Sequence, residues 1–505
     1  MAGAGVSRSS ATGADLLVGI DIGTTNLKLL AVTPWGEVRH LVSRPTAVRL
    51  PRDGWAEFDL ASIWDDIIDG LRELREACGR AVRIVSIAVD SIGESFVGLD
   101  ADDKMVTPCP TWFDRRTRNA RADLGIDVRT WYETTGMADD DIATLHRLHW
   151  LFERDPDLRR KVRRWLNVGD AIVWRLSGRA VASPSLAARS GLYDRRTQSW
   201  SAPLLESLGL APDTLPDPVA TASVAAGLTS EVAAATGMPK GTPIVHAGHD
   251  HPCAGVGCHV IAPGTLLDST GTAEAVKIVV PGPLSYDETL GGRYDCYPHA
   301  VPERFVLSGH LPSAGAFLAW AAGLWSGSSD AKHRCTLADA ANSVAGARGV
   351  RALPFLEGTG SPFHLRDQAA ELLGLRAFHT RSDVLRAAYE GCAAWLALNV
   401  DVLTRIVGTS PTTIVAVGGG TRSGLWLAIK AAFLGRQLSL PAVDEAAALG
   451  AALVGGMAVG AVPHDLDGVV EPPTPTVAAD PDEAAAYDLV AAAYRTLYRG
   501  RFGAI

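Results

Sequence analysis

One stretch near the start of the chain constrains its fold more than any other: Leu16 to Lys28 reads Leu-Leu-Val-Gly-Ile-Asp-Ile-Gly-Thr-Thr-Asn-Leu-Lys. The run Leu17 to Ile22 is apolar and β-rich, the pattern of a buried strand. Asp21 interrupts it, and a carboxylate in such a strand is costly to bury without a partner such as a Mg²⁺ ion or its water shell. Gly23 lets the backbone turn tightly, so that Thr24 and Thr25 offer hydroxyls and N–H groups to phosphate oxygens. The same residues also read as an ordinary strand and turn whose aspartate caps the loop.

A second stretch repeats the idea. Thr265 to Val276 reads Thr-Leu-Leu-Asp-Ser-Thr-Gly-Thr-Ala-Glu-Ala-Val: an apolar run, a hydroxyl and glycine turn, then apolar residues again. Two such loops about half a chain apart predict two related domains gripping one nucleotide. A third element, Ile414 to Leu427, predicts a buried strand, three glycines, and a helix capped by Thr421 or Ser423. Gly418, Gly419 and Gly420 leave no side chains in the way of a flat ring; the alternative is a merely tight strand-to-helix turn.

Alternating strand and helix patterns run along the chain, the mark of an α/β protein. Ser62 to Cys78 predicts an amphipathic helix with Ser62 as N-cap, and Ile84 to Val89 a strand ending at Asp90. At 505 residues the chain exceeds what one core usually serves, so two domains are expected. A net charge of −9 argues against a nucleic acid or membrane surface as partner. No apolar run approaches the ~20 residues that span a bilayer, residues 1–13 read as a disordered tail, and a cytoplasmic location is expected. The seven cysteines, Cys335 among them, are scattered in the manner of reduced thiols.

These elements resemble the FGGY carbohydrate kinases of the actin-like ATPase superfamily, from about Leu16 to about Tyr498. The resemblance rests on an ordered set: Asp-Ile-Gly-Thr-Thr, Trp-Phe-Asp-Arg-Arg at Trp112, Gly-Asp-Ala-Ile-Val-Trp-Arg-Leu-Ser-Gly at Gly169, Gly-His-Asp-His at Gly248, Ser-Thr-Gly-Thr at Ser269, the triple glycine, and Asp-Glu-Ala-Ala-Ala-Leu-Gly-Ala-Ala at Asp444. It implies an α/β fold of two actin-like (ribonuclease H-like) domains, residues 14–256 and 257–505, flanking a nucleotide and sugar cleft. It also implies ATP and Mg²⁺ as cofactors, and transfer of the γ-phosphoryl group to a hydroxyl of a small ketose or polyol. A homodimer is compatible with it. The rival readings are a sugar-sensing pseudo-kinase and a non-catalytic actin-like ATPase.

The resemblance also implies roles. Asp21 would position the metal. Gly23, Thr24, Thr25, Thr270, Gly271 and Thr272 would hold phosphates; Gly418 to Gly420, Ser423 and Glu445 complete the nucleotide site. Asp250 is the expected proton acceptor, standing near the start of a helix predicted to begin around Pro252, where the helix dipole favours an ionised carboxylate. The alternative is that it only caps that helix. His251 beside it suits a hydrogen bond to a sugar hydroxyl. The crowding of His246, His249, His251, Cys253, Cys258 and His259 invites zinc, but the usual pairings of zinc sites are missing. Glu94, Trp112 and Asp114 are expected to choose the sugar. Glycerol kinases carry Arg-Glu where this chain has Gly93-Glu94, a departure that points to a larger or differently shaped acceptor. Trp112 reads equally as core packing, and Arg115 and Arg116 as structural salt bridges.

Overall fold

The computed structural model describes residues 15–117, 125–140, 142–324 and 339–503, so the tail at residues 1–13 and Cys335 lie outside the described residues. The chain divides into two units. The first runs through Ile261 and regains Tyr297–Arg304 and Glu445–Glu471; the second comprises Ala262–Cys296, Phe305–Asp444 and the residues from Pro472 on. The division near Ile261 falls close to the expected one. The return of Glu445–Glu471 to the first unit is a correction to a simple split at residue 256.

The sheet of the first unit runs in the order Val224–Gly227, Pro243–His249, Arg83–Ser91, Asp15–Ile22, Asn26–Val32, Val38–Pro45. Asp15–Ile22 pairs antiparallel with Asn26–Val32 through the predicted turn and parallel with Arg83–Ser91, which is itself parallel to Pro243–His249. Three parallel strands thus end at one edge, where ligands gather in sheets of this kind. The second unit is built alike. Its sheet includes, in order, Phe305–Leu311, Glu274–Val280, Thr265–Thr270 and Thr413–Val417, with the second hairpin antiparallel and Thr413–Val417 parallel to Thr265–Thr270.

The first amphipathic helix spans Leu60–Cys78, and its N-cap is Asp59 rather than Ser62: the Asp59 carboxylate accepts from the Ser62 backbone N–H. Asp competes well for that position, because its side chain reaches an N–H that helix geometry leaves unpaired. The helix buries Ile63, Ile67, Leu71 and Leu74, each contributing ~1.5–3 kcal/mol when fully withdrawn from water.

The small residues of Asp444 to Ala452 have a packing cause. Helix Ala446–Ala458 lies against strand Asp15–Ile22 so closely that a Cβ at Gly19 would stand 2.0 Å from the Ala448 carbonyl. It also crosses helix Asp250–Gly257, where a Cβ at Gly450 would stand 1.7 Å from the Cys253 carbonyl and one at Gly257 2.1 Å from that of Ala446. These backbone contacts hold Glu445, the N-cap, in the first unit. Among the described residues no helix is long and apolar enough to cross a membrane.

Candidate active site

Sheet register sets the first group of acidic residues. Asp21 and Asp90 are Cα partners on adjacent parallel strands, and Gly248 is the partner of Asp90 on the next. Asp90 lies inside strand Arg83–Ser91 rather than just beyond it. It is fully buried, with the Cys253 thiol beside its carboxyl. Burial first, then the charges of Asp21 and Asp250, hold its carboxyl well above the usual range. Burial likewise pushes Asp21 up to about 6, against the pull of Lys28 and with a push from Glu445. Lys28, the cross-strand partner of Asp21, forms an ion pair with Glu445. Glu445 therefore joins the Asp21 group, a placement its position so far along the chain does not suggest.

Asp250 is the first residue of helix Asp250–Gly257, with His249 at the N-cap, so the helix begins two residues before Pro252. The Asp250 carboxylate accepts from the His251 N–H at 2.6 Å and stands 3.2 Å from His249 Nε2. His249 Nδ1 faces the Tyr297 hydroxyl at 3.5 Å, and the backbone N–H of His249 donates to Ser185 Oγ. Gly248, at φ 114°, is required: a Cβ there would stand 2.0 Å from Ser185 Oγ.

Of the six histidines and cysteines that crowd this segment, only His249 and His251 gather at Asp250, with ligand atoms of the three within 4.8 Å of one another. His246 Nε2 bonds Asp170 at 2.8 Å, His259 Nδ1 bonds the Val470 carbonyl, and Cys253 Sγ faces the Ala247 carbonyl. The trio could hold a cation, but the contacts of His249 with both Asp250 and Tyr297 have the form of a hydrogen-bond relay.

The residues expected to choose the sugar divide. Trp112 Nε1 donates to Thr24 Oγ1 at 2.9 Å, so this indole braces the first phosphate turn. Asp114 is a correction. Its oxygens take the Ala56 N–H, the Arg116 N–H and the Arg116 guanidinium, and Arg116 also reaches Glu57, which makes Asp114 a structural residue. Glu94 stays at the strand ends with φ 60°, paired not with Arg115 or Arg116 but with Arg189, whose Nε and Nη2 both lie 2.5 Å from Oε1. In the first turn Gly23 and Thr24 are half-buried and Thr25 is exposed.

In the second unit the turn after Thr265–Thr270 is not uniform. Gly271 and Thr272 are exposed, whereas Thr270 is buried and its hydroxyl is held by Lys430 Nζ at 2.5 Å. That removes the Thr270 side chain from the set available to a phosphate and makes it a support. Lys430 Nζ also lies 2.7 Å from Asp268 Oδ2 and 2.7 Å from Glu274 Oε1, all three residues being fully buried. The three glycines also differ. A Cβ at Gly418 (φ 93°) would stand 2.6 Å from the Thr270 carbonyl, and one at Gly420 2.2 Å from Thr270 Cγ2; only at Gly419 would it meet open space. Two of the three thus exist to let this strand end approach the phosphate turn. Ser423, not Thr421, caps helix Gly424–Leu434 by accepting from the Trp426 N–H.

Two family models match this chain in succession, the N-terminal domain of the FGGY family of carbohydrate kinases over residues 16–257 and the C-terminal domain over residues 267–459. The chain belongs to the FGGY carbohydrate kinases. It is 29% identical over 461 residues to an L-fuculokinase of Salmonella typhi, covering 88% of this chain and 93% of that one. It is 25% identical over 457 residues to a gluconokinase of Bacillus licheniformis, covering 88% of each. The solved xylulose kinase of Rhodospirillum rubrum matches with a TM-score of 0.84 at 29% identity, over 96% of this chain and 98% of that one. These relatives lend no support to the sensor or scaffold readings. As an FGGY kinase the chain is an ATP-dependent phosphotransferase with an alcohol group as acceptor.

Several residues beside these candidate groups are not singled out by motif reading: Asp90, Arg189 and Tyr297 in the first unit, and the Lys430–Asp268–Glu274 group in the second. Only Asp90 carries a local signal, a carboxylate in the apolar run Ile84 to Val89 extended by one residue, the same anomaly that marks Asp21.

Proposed function

We propose that Asp250 accepts the proton of a ketose or sugar-alcohol hydroxyl as that oxygen bonds to the γ-phosphorus of ATP and the bond to the departing ADP breaks. The observation that supports this most is the placement of Asp250: partly exposed at a helix N-terminus, held by the His251 N–H and His249, beside the strand ends that carry Asp21 and Asp90. A helix N-terminus favours the ionised carboxylate by a few tenths to ~1 kcal/mol, which suits a base at neutral pH. Because phosphoryl transfer runs through a loose transition state, positioning and charge neutralisation carry most of the rate. Thr25 is exposed on the first unit and Gly271, Thr272 and Gly419 on the second, so each unit by itself offers groups of the kind that meet phosphate oxygens.

The donor set fits a hard divalent cation, since Asp21 and the buried Asp90 supply carboxylate oxygens and Lys28 with Glu445 lie alongside. Asp21 would hold Mg²⁺, which when bound offsets the negative charge of the phosphates. Asp21→Asn keeps the shape and removes the charge, so activity is expected to fall and to recover in part at high Mg²⁺. A Mg²⁺ titration of both proteins checks this; an unchanged dependence would leave Asp21 as a loop-shaping residue. The wider reading is tested by ADP release with ATP and Mg²⁺ across a panel of sugars and polyols. Release that does not depend on an acceptor would overturn it.

A further inference from the structure

Residue 93 is glycine for a reason that local sequence does not reveal. A Cβ at Gly93 would stand 3.2 Å from Arg189 Cγ, 3.3 Å from Arg189 Cβ and 3.3 Å from His249 Nε2. The space beside Glu94 is therefore not room for a larger acceptor, because the Arg189 side chain fills it. Arg189 comes from the turn Ala188–Ser190, and its guanidinium lies 5.2 Å from the centre of the Tyr297 ring. Tyr297 and Gly93 both adjoin His249, which adjoins Asp250, so Arg189, Glu94 and the proposed base form one contiguous cluster within the first unit.

We infer that the Arg189–Glu94 pair is a specificity determinant that selects an uncharged polyhydroxy acceptor over an aldonate. This rests on the proposed role of Asp250 in the same cluster. The guanidinium Nε and Nη2 both meet Oε1 of Glu94, which leaves the second carboxylate oxygen, Oε2, to accept from an acceptor hydroxyl. Arg189 and Glu94 side chains are 8% and 7% exposed, and Asp250 is 20% exposed beside them. At such depth an ion pair has no net charge with which to welcome a carboxylate. An aldonate would set its own carboxylate against Glu94 with Arg189 already neutralised, and like charges at low exposure repel strongly. A ketose or sugar alcohol meets no such penalty.

The test is ADP release by the intact enzyme with D-xylulose, L-fuculose, glycerol, xylitol and D-gluconate as acceptors, each also measured for binding by calorimetry. The best neutral acceptor is expected to exceed gluconate by about tenfold or more in kcat/KM. Arg189→Met is expected to raise the KM of neutral acceptors about tenfold or more, because Glu94 loses the partner that orients its carboxylate toward the acceptor, with the KM for ATP nearly unchanged. Glu94→Gln removes the negative charge that would face an acceptor carboxylate, and is expected to narrow the gap between gluconate and the neutral acceptors about tenfold. Arg189→Lys, which keeps the charge, is expected to fall between wild type and Arg189→Met and serves where the methionine variant fails to fold. Gluconate as the best wild-type acceptor would overturn the inference while leaving a kinase with Asp250 as base. So would an Arg189→Lys variant that loses activity by the same factor toward every acceptor. Release of ADP independent of any acceptor would overturn both.

Discussion

Asp250→Ala is expected to lose about 10²- to 10⁴-fold in kcat, the range a general base contributes, while ATP still binds. The carboxylate is the first residue of helix Asp250–Gly257, held by the His251 N–H at 2.6 Å and facing His249 Nε2 at 3.2 Å. Alanine removes the carboxylate and leaves one N–H of the first helical turn to water, a loss of about 0.5–2 kcal/mol in stability that does not abolish folding. Steady-state kinetics with the best acceptor, beside calorimetric binding of ATP, separate the two effects. A kcat within a few fold of wild type would remove Asp250 from the chemistry. Loss of ATP binding in parallel would make it a nucleotide or folding residue instead.

Lys430→Met is expected to be the most destabilising single change in the second unit. The ammonium stands between Asp268 and Glu274, both fully buried, and holds the Thr270 hydroxyl beneath the second phosphate turn. Removing one partner of a buried ion pair costs about 3–5 kcal/mol, because the charge left behind has neither water nor counter-ion. Two further results follow from the same cluster. Adding Asp268→Asn and Glu274→Gln to Lys430→Met is expected to recover much of the stability, since the stranded Asp268 carboxylate and the Glu274 carboxyl beside it go with the lysine. Burial also pushes Glu274 up to about 8 from its ordinary 4.5, so in the folded state it holds a proton that the unfolded chain has released. A raised carboxyl pKa gives stability that is complete below about 4.5 and is lost as pH rises through about 8. The wild type should therefore lose thermal stability across that window relative to Glu274→Gln. Melting curves at pH 5 and pH 8.5 check the sign. Lys430→Met melting within a degree or two of wild type would refute the ionic role.

The strand Asp15–Ile22 and its turn, the second hairpin at Thr265, and the strand-to-helix turn at Gly418 are all legible in the sequence, because each is a local pattern of apolar runs, glycines and hydroxyls set within a few residues. At that level the fold departs from the expected pattern only slightly, and for physical reasons. Asp59 displaces Ser62 as a cap, and the helix at Asp250 begins two residues early, with the Asp250 carboxylate accepting from the His251 N–H of the first turn. Roles that depend on a side chain's partner depart further. Asp114 is engaged by Arg116 and Ala56, and Thr270 by Lys430.

By itself the sequence determined the α/β class, the two hairpin turns rich in glycine and hydroxyl residues, the family, and the candidacy of Asp21 and Asp250. Only the tertiary structure decided that Arg189 fills the space left by Gly93, that Asp90 stands beside Asp21, that Glu445 returns to the first unit, and that Lys430 holds Thr270. The reason is distance along the chain. Arg189 and Glu94 are 95 residues apart, and Lys430 and Asp268 are 162 apart, so no window of sequence contains both partners. Which of them meet is set by strand order and by the glycine contacts that let helices Asp250–Gly257 and Ala446–Ala458 cross at backbone distance. A turn is encoded where it forms, whereas an ion pair is encoded by everything that brings its two ends together.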